Sequence, residues 1–295
     1  MAPFRDADFL GTVYRHDYVA GIIQPRPESI PIGLPLFDEE YFEWIDLLES
    51  VVDARHSYNM MELGAGFGRW SVRAAFAVRQ LHPEMPFHLT AVEAEPVVYG
   101  WMRQHFADNH LDLTAHCLLH AAVTEVPGEA MFYVGGPRGG PWDKRPEGWY
   151  GQCLTKDYDV AAGGRFDSDY HGFSVSRHPS GWRSIRVPGV SLCCLLAGTD
   201  LVDLIDMDIE GQELPSVQAN IGALDAKVKR LHIGTHSQEI EAGLRELLCR
   251  HHWERRADYT LFSESNTPWG RIRFENGVQS WVNPRLASRP VGPVP

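Results

Sequence analysis

Acidic side chains recur within one short segment of the chain, which reads Asp206-Met-Asp208-Ile-Glu210-Gly-Gln-Glu213. This segment follows residues 201–205, an apolar run that is typical of a buried strand. His236 comes shortly after the next predicted strand, residues 228–233. The carboxyl ends of parallel strands form the ligand-binding edge of an open α/β sheet. We therefore predict that these acids and His236 face one site.

Two kinds of chemistry suit this group of side chains. In the first, His236 is a general base that removes a proton from a hydroxyl, while Asp208 orients the imidazole and stabilises its protonated form. In the second, Asp208, Glu210 and His236 bind a divalent cation, Mg²⁺ or Mn²⁺, which lowers the pKa of the hydroxyl. The predicted catalytic residues are therefore His236, Asp208 and Glu210. A third alternative is structural: Glu210 caps the helix that starts near Gly211, and His236 only closes a turn.

A glycine-rich turn follows the predicted strand at residues 60–63, in the order Glu62-Leu-Gly64-Ala65-Gly66-Phe-Gly68. Arg69 stands where the dinucleotide fingerprint requires its third glycine, and the turn lacks the Gly-Lys-Ser/Thr ending of a triphosphate-binding loop. Glu62 would repel a pyrophosphate but would pair with an ammonium group. Glu93 ends the next predicted strand, residues 88–93, where it can accept hydrogen bonds from ribose hydroxyls. These features favour S-adenosylmethionine, which has an adenosine and an ammonium group but no phosphate.

The motifs resemble those of the S-adenosylmethionine-dependent methyltransferases of the FkbM type. The resemblance covers about residues 55–255 and rests on three segments, residues 62–70, 91–95 and 205–213. It implies a Rossmann-like α/β sheet of seven strands, the class I methyltransferase sheet, with the last strand antiparallel, and O-methyl transfer to hydroxyls of natural products or sugars. By position, the resemblance assigns Glu62, the turn glycines, Glu93 and a turn near adenine to the cofactor. The full set of predicted cofactor-binding residues is Glu62, Gly64, Ala65, Gly66, Gly68, Glu93, Ala94, His120, Ala121 and Asp206.

Two positions depart from the pattern of that family. Asp206 occupies the place of the family's usual lysine, and Gly234 stands where a glutamate often precedes the histidine. The role of the family's lysine is therefore not carried over to this chain.

The chain divides into an arm, a main domain and a tail. Residues 1–52 are expected to form an N-terminal arm and helix, residues 53–285 a Rossmann-like domain, and residues 286–295 a flexible tail. Residues 135–185 are rich in Gly, Pro, Trp and Tyr without a sustained period, which indicates a long insertion that covers the active site. Its side chains Trp149, Tyr150 and Gln152 are candidates for binding the acceptor substrate. Two further runs, residues 259–262 and 271–274, predict a C-terminal hairpin.

The composition limits the partners of the protein. The 295 residues include 27 Lys and Arg against 39 Asp and Glu, a formal net charge of -12, which argues against nucleic-acid binding. The most apolar stretch, residues 190–198, is too short to span a membrane. We expect a cytoplasmic enzyme of natural product biosynthesis with a small-molecule acceptor, whose aromatic arm could pack against a second copy in a homo-oligomer. Two alternatives are a non-catalytic protein that binds S-adenosylmethionine and a nicotinamide-dependent oxidoreductase of similar fold.

Overall fold

The computed structural model describes residues 5–19, 34–136 and 152–287. The helices are α1 (Glu40–Asp53), α2 (Arg69–Leu81), α3 (Pro96–Asp108), α4 (Asp157–Ala162), α5 (Leu192–Leu196), α6 (Glu213–Lys227) and α7 (Gln238–Arg250), with a short 3₁₀ helix at His16–Val19. The strands are β1 (Arg5–Ala7), β2 (Val13–Arg15), β3 (Tyr58–Leu63), β4 (Phe87–Glu93), β5 (Cys117–His120), β6 (Ala122–Val123), β7 (Gly128–Gly135), β8 (Arg165–Tyr170), β9 (Phe173–Arg177), β10 (Arg183–Val190), β11 (Leu204–Met207), β12 (Arg230–Thr235), β13 (Glu254–Tyr259), β14 (Ser263–Thr267), β15 (Gly270–Phe274) and β16 (Gly277–Val282).

The main sheet has seven strands in the order β13-β16-β12-β11-β3-β4-β5. The neighbours from β12 to β5 are parallel, whereas β16 runs antiparallel to both β12 and β13. This is the Rossmann-like sheet that the sequence predicted, with its antiparallel last strand. The carboxyl ends of β3, β4, β11 and β12 consequently lie side by side at one edge, where such sheets bind ligands.

Helices cover both faces of this sheet. On one face α1, α2 and α3 pack around Trp44, Trp70 and Phe106, and on the other α6 and α7 pack around Val217 and Leu244. Because both faces are buried, the parallel strands are apolar along most of their length. The polar side chains Glu62, Asp206 and His232 are exceptions within these strands and are buried nonetheless.

The predicted cover insertion contains regular structure, contrary to the expectation of a long irregular segment. Its described part forms α4, β8, β9 and β10, and these strands join β6 and β7 in a second, smaller sheet. The register shifts within β8–β9 and within β10–β7 interrupt the pairing. Such irregularities break the alternation of apolar and polar residues, so the strands have no clear period in the sequence.

The C-terminal strands also differ from the prediction. The hairpin is β14–β15, so residues 259–262 are not one of its strands, and the sheet is completed by β13 and β16. Strand β16 carries Gln279 and Ser280, which are buried and hydrogen bond to Glu241 and Asp46. Because these buried residues are polar, hydrophobicity alone does not identify β16 as an interior strand of the sheet.

The described part of the N-terminal arm lies against the main domain. The β1–β2 hairpin is attached through Val13, which exchanges backbone hydrogen bonds with the Asn109 side chain, and through an Arg15–Asp108 ion pair of 2.6 Å. Asp8 forms a second ion pair with Arg73 at 3.0 Å. In the described ranges, none of the helices has the length and hydrophobicity required to cross a membrane.

Candidate functional site

The glycine-rich turn joins β3 to α2 in a left-handed backbone conformation. Gly64, Gly66 and Gly68 have φ values of 76°, 53° and 75°, a region that favours glycine. A Cβ atom on Gly64 would lie 1.8 Å from the carbonyl oxygen of Asp208. Glycine is therefore required where the turn passes the end of β11.

Glu93, at the end of β4, is hydrogen bonded to this turn. Its Oε2 accepts a hydrogen bond of 2.8 Å from the Gly66 amide, and its Oε1 accepts one of 2.7 Å from the Glu95 amide. The side chain is buried, and this burial raises the pKa of Glu93 to about 8 although the backbone hydrogen bonds oppose the shift. A carboxylate in this position is matched to hydroxyl donors, which would stabilise its ionised form.

A narrow cavity of about 90 Å³ lies between the turn, the ends of β4 and β11, and the second sheet. It brings together eight residues that the sequence had singled out: Gly64, Gly66, Glu93, Ala94, Ala121, Gln152, Asp208 and Glu210. The insertion thus contributes a wall of the cavity through Gln152 and its neighbour Leu154. Trp149 and Tyr150, the other predicted substrate-binding residues, lie outside the described residues.

Five predicted cofactor residues do not line this cavity: Glu62, Ala65, Gly68, His120 and Asp206. Glu62 accepts hydrogen bonds from the amides of Trp70 (3.0 Å) and Ser71 (2.8 Å), which satisfies the first turn of α2. Gly68 packs against α3, and Nε2 of His120 donates a hydrogen bond of 3.0 Å to the Ala94 carbonyl oxygen while its ring contacts Tyr99. These interactions depend on neighbouring elements, which a sequence motif does not reveal.

The predicted catalytic residues Asp208, Glu210 and His236 lie together. Nε2 of His236 is 3.2 Å from Oδ1 of Asp208 and 3.4 Å from Oε2 of Glu210. Burial disfavours the charged imidazolium, but the hydrogen bonds and charges of Asp208 and Glu213 outweigh it and raise the pKa of His236 to about 11. Burial also raises the pKa of Glu210 to about 7.

Glu213 orients His236, a role that the sequence analysis gave to Asp208. Its Oε1 lies 2.8 Å from Nδ1 of His236, and both of its oxygens accept from the Gly211 amide at 3.0 Å. Glu213 is fully buried in the first turn of α6. In the sequence, the position of Glu213 at the end of the acidic segment was the signal that it could belong to the site. Its burial and its contact with His236 depend on how α6 packs.

The group Asp208, Glu210 and His236 also has the donors of a cation site. One ligand atom from each residue lies within 4.8 Å of those of the other two. Two carboxylates and an imidazole suit a divalent cation such as Mn²⁺ or Mg²⁺. The carboxylate of Glu213 on the other ring nitrogen is typical of histidines that bind metals.

A second and larger cavity of about 370 Å³ adjoins the first and is named here the acidic cavity. It shares Gly64, Gly66, Asp208 and Asn276 with the narrow cavity. Seven carboxylate residues line it: Asp38, Glu39, Glu40, Glu43, Glu62, Asp206 and Asp208. Its one arginine, Arg69, is paired with Glu40 at 2.7 Å. Among the described residues, this lining favours a cationic ligand.

Asp206, predicted to bind the cofactor, lines the acidic cavity and not the narrow one. Burial raises its pKa to about 7, although the nearby His232 opposes the shift. His232 itself is buried, with Nδ1 2.7 Å from Oδ2 of Asp46. The sequence analysis assigned no role to Glu43, Asp46 or His232, because α1 lies more than a hundred residues from the strands it contacts.

No family model matches this chain. A curated putative methyltransferase from Jannaschia sp. (strain CCS1) is 25% identical over 249 residues, which are 83% of this chain and 81% of that protein.

The solved structures to which the chain is similar include two methyltransferases. The methyltransferase FkbM from Methylobacillus flagellatus KT is 12% identical with a TM-score of 0.43, and the match covers 76% of this chain but only 44% of that one. A putative RNA methyltransferase from Pyrococcus horikoshii is 8% identical with a TM-score of 0.39, over 83% of each chain. An FkbM methyltransferase is thus among the proteins to which the chain is similar.

Proposed function

We propose that the protein is an S-adenosylmethionine-dependent methyltransferase that methylates a hydroxyl group of a small natural product or sugar. One observation carries the proposal: the narrow cavity joins the glycine turn and Glu93 to the catalytic candidates Asp208 and Glu210. The similarity to the Jannaschia putative methyltransferase supports the same enzyme class.

The residues of the narrow cavity fit the cofactor. Gly64 and Gly66 keep side chains away from the ligand, and Glu93 offers a carboxylate to ribose hydroxyls. Ala121 and Ala122 provide a small apolar wall suited to the adenine ring. S-adenosylmethionine supplies a methyl group on a positively charged sulfur, and the protein's task is to align the acceptor oxygen with that carbon. Alignment of this kind contributes about 7–11 kcal/mol to lowering a barrier.

The state of His236 favours the cation mechanism over the general-base mechanism. With a pKa of about 11, His236 already carries a proton at neutral pH and does not accept another from a hydroxyl. A divalent cation held by Asp208, Glu210 and His236 would replace that proton and lower the pKa of an acceptor hydroxyl. Glu213 would keep accepting from Nδ1 and so hold the ring in place.

Calorimetric titration with S-adenosylmethionine and with its demethylated product tests the cofactor. We expect binding by the wild-type protein and at least about tenfold weaker binding by Glu93→Ala, since a ribose contact of about 1.4 kcal/mol would be lost. Absence of binding at millimolar ligand would refute the proposal. Binding of NADH instead would indicate an oxidoreductase.

The acceptor is tested with S-adenosylmethionine whose methyl group is isotopically labelled. Hydroxylated small molecules, amines and RNA are offered separately, and the chemical shift of the transferred methyl identifies the atom to which it is attached. Labelled O-methyl product supports the proposal, while N-methyl or RNA product would replace it. Cofactor binding with no transfer to any class would favour the non-catalytic alternative.

A further inference from the structure

Three polar side chains from three separate elements meet in the acidic cavity. Glu43 comes from α1, Asp206 from β11 and His232 from β12, and Asp206 and His232 are paired in register across the parallel strands. One ligand atom from each residue lies within 4.8 Å of those of the other two. Neither Glu43 nor His232 belongs to the candidate catalytic group around His236.

Asp206 is a buried carboxylate that faces the acidic cavity. Its side chain is only 6% exposed, lines the acidic cavity, and accepts no hydrogen bond from any residue that the structure describes. Asp203, three positions earlier, is buried equally deeply but is paired with Lys229 at 2.7 Å and with the Asn59 amide at 2.8 Å. An unpaired buried carboxylate is unfavourable, so Asp206 requires a proton or a cation from the cavity.

His232 is oriented so that one ring nitrogen remains for a ligand. Its Nδ1 contacts Asp46, and Asp46 also accepts a hydrogen bond from the Ser280 hydroxyl. Within the described ranges Nε2 has no hydrogen-bond partner. A carboxylate on one ring nitrogen with the other nitrogen free is the usual arrangement around histidines that bind metals, and it makes Asp46 a positioning residue.

We propose that Glu43, Asp206 and His232 form a second divalent-cation site, separate from the group around His236. Two carboxylates and one imidazole match Mn²⁺, which accepts both oxygen and nitrogen ligands. Three protein ligands leave coordination positions open toward the acidic cavity for water or for an oxygen atom of a substrate. The excess of carboxylates in this cavity would also attract a cation.

Manganese binding by the whole protein, stripped of metal beforehand, tests the site without any measurement of activity. Crystals soaked in Mn²⁺ should show anomalous scattering between Asp206 and His232. Titration of Asp206→Asn and of Glu43→Gln should show loss of this binding event, or affinity at least about tenfold lower, while any event at His236 persists. Asp38→Asn, which removes a charge from the same cavity wall but no proposed ligand, should bind Mn²⁺ like the wild type.

Several results would overturn the proposal. The first is an absence of anomalous scattering at this position. The second is a wild-type affinity for Mn²⁺ in both isosteric variants when circular dichroism shows that they are folded. The third is weaker binding of S-adenosylmethionine by Asp206→Asn while no Mn²⁺ binds, which would make the group a site for an ammonium. Because cation binding is read directly, failure here leaves the proposed methyl transfer untouched.

Discussion

Nδ1 of His236 lies 2.8 Å from Oε1 of Glu213, a carboxylate that is fully buried at the start of α6. This contact fixes the ring so that Nε2 faces Asp208 and Glu210 at 3.2 and 3.4 Å. The orientation of the candidate catalytic histidine therefore depends on how α6 packs. A substitution at Glu213 tests this orientation without changing Asp208 or Glu210.

Glu213→Gln should lower turnover while leaving the binding of S-adenosylmethionine unchanged. The amide keeps the shape of the side chain but removes a negative charge that raises the pKa of His236. Loss of such an orienting carboxylate reduces activity about 10–100-fold. The measurement compares kcat with the cofactor Kd, and an NMR titration of His236 should show a lower pKa. Unchanged turnover together with an unchanged pKa would contradict this role.

Removal of metal should distinguish the two mechanisms proposed for His236. If Asp208, Glu210 and His236 act through a cation, EDTA treatment abolishes methyl transfer and Mg²⁺ or Mn²⁺ restores it. His236→Ala should reduce turnover at least about 100-fold under either mechanism. Full activity in EDTA would rule out the cation, and full activity in His236→Ala would rule out both roles.

Glu93 should make the folded protein less stable as the pH rises. Its folded-state pKa of about 8 exceeds its ordinary value of 4.5, so the folded state binds the proton more tightly than the unfolded state. The contribution of Glu93 to the free energy of unfolding is therefore most favourable below pH 4.5 and declines as the pH rises from 4.5 to 8.

The comparison with Glu93→Gln isolates this contribution. Both proteins are unfolded with denaturant at a series of pH values. The difference between their free energies of unfolding should change with pH over this interval, because the glutamine does not titrate. The variant is expected to gain stability relative to the wild type as the pH rises. Parallel curves would mean that Glu93 is ionised in the folded protein throughout.

Gly64→Ala should destabilise the fold and disrupt the narrow cavity. At its φ of 76° an alanine is strained by about 1–3 kcal/mol, and its Cβ would lie 1.8 Å from the Asp208 carbonyl oxygen. Gly222→Ala is the matched control, since Gly222 lies in α6 and, apart from its chain neighbours and the nearby backbone of its own helix, no heavy atom lies within 4 Å of the added carbon. That control should be neutral or stabilise by about 0.4–1 kcal/mol. A melting temperature of Gly64→Ala equal to the control's would refute the close approach.

The grouping of the candidate site could be predicted from the sequence because it follows from sheet geometry. Gly64, Glu93, Asp208 and Glu210 follow strand-like runs, and parallel strands in this fold bring their carboxyl ends to one edge. His236 follows the next predicted strand in the chain and lies near Asp208 and Glu210. The seven strands and the antiparallel last strand agree with what the motif resemblance implied.

The partners of individual polar side chains were decided by tertiary structure. Glu62 satisfies the amides of α2, Glu213 rather than Asp208 orients His236, and His120 turns away from the narrow cavity. In the acidic cavity, Glu43 meets Asp206 and His232 because α1 packs against β11 and β12. Local periodicity records which face of an element is buried, whereas these contacts depend on the rotation and position of elements distant in the chain.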